Sequence, residues 1–462
     1  MLFLFDVLIL NTALLAVLAL RYPYRFSLST VTDVPLYFIL LTALWFVWAS
    51  FFDCYDLPRS ADASQSVWST GRAALLSALV YLIIPYYTPY FTQSRLSALL
   101  FVAVATLSVP AWRLFYATVF GQPTFQQRLL VVGAGRSGAE LARELAGKAL
   151  FGNPYAGSGI QLLGFVDDDP DKAGSVVEGV PVLGTRCDLR RLVEDLRIDT
   201  LVLAISHTPN IHPELFQVLL DCREQGIRLE PMTNLYERLT GKVPVGQAAG
   251  NLHVVLPLSD SPVQRLLWAA KRLGDLLVAG LGLLVLGLFL PWVALANALP
   301  VIGSRGPIFY GQTRVGKGGR TFRLLKFRSM VPEAEKQGGA VWARKGDPRV
   351  TAAGRFLRKA RLDELPQMWN ILKGEMSLVG PRPERPEFVA ELVKTIPFYQ
   401  ARHAVRPGIT GWAQVRYGYG ASDEDALVKL QYDLYYIKHQ SLYLELSILA
   451  KTAAEMVMMR GR

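Results

Sequence analysis

The chain has 462 residues, 51% of them hydrophobic, and carries 49 Lys and Arg against 38 Asp and Glu, a formal charge of +11. That length allows two or three domains, and that hydrophobic share exceeds what soluble cores need, so membrane segments are expected. The positive surplus fits positive-inside anchoring or anionic lipid headgroups; no zinc-finger, RRM or homeodomain pattern supports nucleic acid as a partner, and three scattered cysteines without CxxC spacing (Cys54, Cys187 and Cys222) argue against disulfides and zinc and for a reducing cytoplasm.

Residues 1–120 hold four apolar stretches, Leu2–Leu20, Pro35–Phe52, Ala73–Tyr90 and Leu96–Val119, each able to span a bilayer. The first starts at Met1 but has neither a basic n-region nor a small-residue cleavage site, so it reads as a retained helix. Loop charges (Arg21 and Arg25, then Arg59 and Arg72) are too even to orient a four-helix transmembrane bundle.

From Arg128 the pattern turns to soluble α/β. RLLVVGAGRSGAELARELAG places Gly133, Gly135 and Gly138 between a β-like run and a helical one, a GxGxxG that lets a pyrophosphate approach a helix N-terminus. A Rossmann-like parallel-sheet module over 128–256, CoA-binding-like and cytoplasmic, is expected, with those glycines as candidate nucleotide contacts. No acidic residue lies between Glu144 and Asp167, so only Asp167 could serve the ribose. The runs Thr200–Ile205 and Ile227–Glu230 read as further buried strands.

Leu273–Leu299 is apolar apart from Asp275, and by length alone it reads as a fifth spanning helix. Parity opposes this. Four preceding helices return the chain to its starting side, and a fifth crossing would separate the GxGxxG module from any nucleotide site downstream. A re-entrant hairpin over 264–300, broken at Pro291, resolves the conflict, with Lys271 and Arg272 at the headgroups and Asp275 just inside.

GPIFYGQTRVGKGGRTFRLLKFRSM then reads as two strands joined at Lys317-Gly318-Gly319, with Lys326 and Arg328 on one face at period two, where a diphosphate could sit; a charged exposed edge is the plainer alternative. In KARLDELPQMWNILKGEMSLVGPRP, Asp363 and Glu364 lie in a field of Arg, Lys and Gly that suits an anionic phosphate substrate. Leu362, Leu365, Trp369 and Leu372 recur at helical spacing, so that face can pack while the acidic pair stays near a cleft. Gly380-Pro381-Arg382-Pro383 presents a guanidinium fork on a rigid turn, and VRPGITGWAQV adds Arg406 on a second one. The C-terminal SLYLELSILAKTAAEM is amphipathic, which suits a membrane-surface helix and a core-packing helix equally.

GPIFYGQTRVG, KFRSM, DPRVTAAGRFLRKARLDELPQMWNILKGEMSLVGPRP and VRPGITGWAQV, in that order, make the region from Gly306 onward similar to the bacterial sugar transferase family of monotopic polyprenyl-phosphate phosphoglycosyl transferases. The layout of helices, Rossmann-like module, hairpin and catalytic domain (301–462) resembles its large exopolysaccharide-initiating members. The resemblance implies transfer of a sugar-1-phosphate from a UDP-sugar to undecaprenyl phosphate at the cytoplasmic face of a bacterial inner membrane. It implies a re-entrant helix, Asp363 as nucleophile, Glu364 as its partner at a Mg2+ ion that both acids hold, and Lys326 and Arg382 at the substrate phosphates. Two departures stand out: Glu445 where many relatives carry Asp, and RLDEL for the commoner SLDEL, which puts Arg361 beside the pair.

Two other classes compete with this expectation. A membrane-tethered nucleotide-sugar oxidoreductase would need a Tyr-xxx-Lys pair, but the fourth residue after Tyr236 is Thr240. A nucleotide-sensing, lipid-binding scaffold would not need the Asp-Glu pair. The sequence does not identify the sugar, and a homodimer is compatible with it.

Overall fold

The computed structural model describes residues 2–21, 33–55, 60, 62–84, 95–120, 127–146, 160–205, 212–247, 252–255, 262–299, 306–331, 349–418, 420 and 422–457. Arg25, Arg59, residues 85–90 and Leu256, which enter the expectations above, lie outside them. The chain divides into two compact units, 1–240 and 241–462.

The first unit opens with apolar helices α1 (Leu2–Arg21), α2 (Pro35–Phe51), α3 (Ala63–Ile83) and α4 (Arg95–Phe120). By length and composition α1, α3 and α4 can cross a membrane, while α2 is shorter. The expected third stretch at Ala73–Tyr90 is corrected: α3 begins at Ala63, where the Asp62 side chain caps the Gln65 N–H, and ends at Ile83. Its first half is rich in Ser, Thr and Gly, so hydropathy misses it. Those small side chains let helices approach closely. Ser66, Thr70, Ala73, Ala74, Ser77 and Ala78 are buried, and the Thr70 and Ser77 hydroxyls donate to carbonyls one turn back. Between α1 and α4, Arg113 donates to both oxygens of Asp6 at 3.0 and 2.5 Å, and Tyr55 donates to the same carboxylate at 2.9 Å. Both charged side chains are fully buried, a pairing that makes ions tolerable at this depth.

The rest of the unit is an α/β sheet. Its strands are β1 (Gln127–Val132), β2 (Ile160–Val166), β3 (Val176–Val177), β4 (Val180–Gly184), β5 (Thr200–Leu203) and β6 (Arg228–Pro231). The order is β3-β4-β2-β1-β5-β6, parallel except for the β3–β4 pair. Helices α5 (Arg136–Ala146), α6 (Leu189–Asp195), α7 (Pro213–Glu224) and α8 (Met232–Thr240) complete it. Central strand β1 alternates its side chains between two cores: Leu129 and Val131 pack with α5 and α8, Leu130 and Val132 with α6 and α7. Gly133 has φ of +109°, and a Cβ on Gly138 would lie 2.2 Å from the Gly133 carbonyl oxygen, so both positions require glycine. Asp167, at the end of β2, accepts from the Ala134 N–H at 2.6 Å and pairs with Lys172.

The expected module boundary at 256 moves back to 240. Val243, Val245 and Val255 belong to the hydrophobic core of the second unit, so 241–255 packs with the downstream domain. That unit contains α9 (Pro262–Ala298), β7 (Phe309–Val315), β8 (Thr321–Phe327), α10 (Ala352–Lys359), α11 (Gln367–Lys373), β9 (Ser377–Val379), α12 (Pro386–Thr395), β10 (Gly408–Thr410), α13 (Trp412–Arg416), α14 (Asp423–Lys438) and α15 (Leu442–Val457). Strands β7 and β8 form the expected antiparallel hairpin around Lys317–Gly319, and β9 pairs with β10 in parallel.

Helix α9 is a single 37-residue helix with Pro291 inside it. Its polar residues bind protein rather than the headgroups expected from sequence. Lys271 donates to the Val379 carbonyl and Glu445, and Asp275 accepts from the Ser377 hydroxyl and Leu378 N–H. Arg272 caps the last-turn carbonyls of α11, Ile371 and Leu372. The reason is that β9 and the end of α11 offer buried backbone groups that need partners. Glu445 therefore has a polar role, completed by Tyr436 at 2.5 Å. Helix α15 packs one face into the core, with Leu444, Ile448 and Ala454 buried, and leaves Leu442, Tyr443 and Leu446 exposed.

Candidate active site

Asp363 and Glu364 sit in a short 3-10 turn, Leu362–Glu364, between α10 and α11. Leu362 and Leu365 pack against Leu357, Phe327 and Val293, which anchors the turn from below. Trp369, expected on the same packed face, is instead 47% exposed with Lys373 over its ring, because the 3-10 turn and Pro366 shift the helical register before α11 begins. Arg361, just ahead of the pair, has a left-handed backbone with φ of +55°, and its guanidinium reaches Glu455 on α15 at 3.0 Å.

Both acids are buried, Asp363 at 7% exposure and Glu364 at 9%. Lys326 from β8 and Arg382 from the loop after β9 converge on one oxygen of Glu364, Oε1, at 3.4 and 3.2 Å. The other oxygen, Oε2, is buried without a hydrogen-bond partner. Burial pushes the Glu364 carboxyl up, but Lys326, then Arg382 and Arg361, outweigh it and hold the group well below the usual carboxylate range. Asp363 goes the other way: burial and the charge of Glu364 push it up, to about 6. Burial also lowers Lys326 against the pull of Glu364. The pair is thus split into a firmly ionised acid and a more basic carboxylate, the second being the better nucleophile.

Arg328 lies just beyond β8, donates to the Pro307 carbonyl at 2.8 Å and stacks over Tyr310. Arg406 is exposed on the loop before β10. The structure therefore brings together Asp363, Glu364, Lys326 and Arg382, while Arg328 is engaged by Pro307 and Tyr310 and Arg406 is exposed. Gly133, Gly135 and Gly138 belong to the other unit. Sequence reasoning passed over Asn370, which accepts from the Leu325 N–H at 3.1 Å and donates to the Arg323 carbonyl at 2.8 Å, fixing α11 to β8 and so the acids to Lys326. A polar residue on the packed face of an apolar helix was the available signal. It also passed over Arg314, which donates to the Pro383 carbonyl and to Gln312.

Among the described residues no group of three or more His, Cys, Asp or Glu could hold a metal. The unpartnered Oε2 of Glu364 beside Asp363 still fits a magnesium ion, which binds through one or two carboxylates and takes its remaining ligands from water and substrate phosphates.

Residues 266–459 match the family model for bacterial sugar transferase, and residues 50–220 match one for a CoA-binding domain. The chain is 43% identical over 262 residues to a UDP-N-acetylgalactosamine-undecaprenyl-phosphate N-acetylgalactosaminephosphotransferase of Aeromonas hydrophila, covering 56% of this chain and 57% of that protein. It is 32% identical over 342 residues to a UDP-glucose:undecaprenyl-phosphate glucose-1-phosphate transferase of Xanthomonas campestris pv. campestris, covering 72% of this chain and 66% of that protein. With the exopolysaccharide production protein ExoY of Rhizobium meliloti it shares 36% identity over 220 residues, 45% of this chain and 93% of that one. The chain spans less than two thirds of the length of the first two relatives.

Proposed function

The chain belongs to the bacterial sugar transferase family, and we propose that it moves a sugar-1-phosphate from a UDP-sugar to undecaprenyl phosphate with release of UMP. The observation that carries this reading is the buried carboxylate pair: Asp363 next to Glu364, whose Oε1 gathers Lys326 and Arg382.

In the first step an oxygen of Asp363 bonds to the sugar-bearing phosphorus, and the bond from that phosphorus to the UMP oxygen breaks, UMP leaving with the electron pair. In the second step an oxygen of undecaprenyl phosphate attacks the same phosphorus and the Asp363 carboxylate is restored. Lys326 and Arg382 offset the repulsion between an anionic nucleophile and an anionic diphosphate. Glu364 holds those two cations in place. Glu364 Oε2 and Asp363 would hold a magnesium ion, which would supply further charge neutralisation at the diphosphate.

The lipid acceptor requires the site to sit at a membrane surface, and α9 supports that placement. Its contacts with the rest of the second unit run from Trp268, which donates to Gln440, to Asn297, which donates to the Gly306 carbonyl. At 1.5 Å per residue that is about 43 Å, longer than the roughly 30 Å hydrocarbon core of a bilayer. A helix held to one polar domain over that length does not cross the bilayer. It lies against the surface and turns Leu273, Leu277, Leu281, Leu284, Leu288, Trp292 and Leu295, all exposed, toward lipid. The catalytic unit is thereby kept on one face of the membrane, in this reading the cytoplasmic face of the inner membrane because UDP-sugars are available there.

UMP release by the full chain in nanodiscs, with magnesium, undecaprenyl phosphate, and UDP-glucose or UDP-N-acetylgalactosamine, tests this reading. Release with one sugar, lost in Asp363→Asn, is the expected result. Release that persists at the wild-type rate in Asp363→Asn removes Asp363 from the mechanism.

A further inference from the structure

Pro381 and Pro383, on either side of Arg382, have no N–H, so the loop cannot stabilise itself through a regular ladder. Four consecutive carbonyls are instead held from outside. Those of Pro381 and Glu384 accept from the N–H groups of Gly408 and Val315 at 3.0 and 2.9 Å. Those of Arg382 and Pro383 accept from the guanidiniums of Arg402 and Arg314 at 2.9 and 3.0 Å. Arg402 is 7% exposed. Its same terminal nitrogen lies 2.8 Å from Asp433, which is 2% exposed, and its other one donates to the Tyr399 hydroxyl. Arg402 is therefore too deep to meet a substrate, yet it grips the backbone of the arginine that meets Glu364.

We propose that Arg402 is a positioning residue for Arg382: anchored on Asp433, it clamps the Arg382 carbonyl so that the Arg382 guanidinium is aimed at the diphosphate of a nucleoside-diphosphate sugar. The proposal rests on the phosphate-binding reading of Arg382 given above. The planar fork is what makes one side chain serve both ends, because it presents several N–H donors in fixed directions. A lysine at this position keeps a cation for Asp433 but loses the directed bond to the Arg382 carbonyl. Arg382 meets the diphosphate in ground and transition states alike, so the loss falls on KM rather than kcat.

The test separates aim from stability with two variants of the full chain in nanodiscs, read by UMP-release kinetics, UDP binding by calorimetry and thermal unfolding. For Arg402→Lys the expected result is a KM for the UDP-sugar, and a Kd for UDP, raised about tenfold, the size of one charge-assisted hydrogen bond, with kcat near wild type and the unfolding midpoint lowered. For Gly282→Ala, which crowds Met368 rather than the Arg402–Arg382 contact, the midpoint falls while KM and Kd hold. An Arg402→Lys protein that binds and turns over like wild type overturns the proposal, and so do two variants whose KM and midpoint move in step. A wild-type chain that neither releases UMP nor binds UDP overturns the parent reading and this one together. A wild type that binds UDP without turnover leaves the Kd comparison to decide.

Discussion

Replacing Asp275 with alanine separates a helix that merely touches lipid from one fastened to the catalytic unit. Asp275 is 3% exposed, and its two oxygens accept from the Ser377 hydroxyl at 2.8 Å and the Leu378 N–H at 3.1 Å. Strand β9 pairs only with β10 among the described residues, so this carboxylate serves its other edge. Hydrogen bonds to a charged acceptor contribute about 1.5–3 kcal/mol each, and part of that is offset because alanine no longer buries a charge. The net cost for Asp275→Ala comes to about 3 kcal/mol, with the Leu378 N–H left orphaned. Asp275→Asn keeps one oxygen to accept from the Leu378 N–H and can donate its amide N–H to the Ser377 hydroxyl oxygen, so about 1 kcal/mol is expected there. For a unit of residues 241–462, at about 2–4 °C per kcal/mol, the unfolding midpoint drops by about 6–12 °C for alanine and 2–4 °C for asparagine. The assay is thermal unfolding of the full chain in nanodiscs, followed by near-UV circular dichroism. The sign is decisive. If Asp275 faced headgroups or lipid, removing its charge would be neutral or stabilising, so an alanine variant that melts at or above the wild-type midpoint refutes the attachment.

The raised Asp363 predicts an acid limb in the first half-reaction: with its pKa at about 6 and the carboxylate as the reactive form, UMP release falls about tenfold from pH 7 to pH 5 and levels off above pH 7. Lys326 is one of the charges that lower Asp363, so Lys326→Met moves that limb to higher pH; a limb that stays in place excludes the coupling. A Cβ on Gly282 would lie 2.7 Å from Cγ of Met368, where α9 meets α11. Gly282→Ala is therefore expected to destabilise by about 1–3 kcal/mol despite its better helix propensity, and Met368→Ala in the same chain recovers part of the loss in a thermal-unfolding comparison.

What could be read from the sequence follows the range of the interactions involved. The α/β sheet and the β7–β8 hairpin were legible because local alternation and turn residues specify them: β1 is apolar on both faces, and Gly318 and Gly319 take positive φ in the turn. The start of α3 was not, because a helix that packs through Ser66, Thr70 and Ser77 looks polar to a hydropathy window. Asp363, Glu364, Lys326 and Arg382 were recognisable from their motifs, and the structure gathers them. The boundary at 240 was hidden because Val243, Val245 and Val255 carry no local sign of which core they join. The fasteners of the site were hidden for the same reason. Asp275 with Leu378, Asn370 with Leu325 and Arg402 with Arg382 are each pairs distant in sequence, and the identity of one partner says nothing of the other until the chain is folded.

Intact-mass spectrometry of the full chain, incubated with magnesium and UDP-sugar but without undecaprenyl phosphate, tests the central claim most directly. The account predicts a mass increase equal to one sugar phosphate, mapped to the peptide containing Asp363, absent in Asp363→Asn, and discharged when undecaprenyl phosphate is added. UMP release that needs undecaprenyl phosphate from the first turnover, with no adduct on the wild-type chain, would contradict it and point to direct attack by the lipid phosphate.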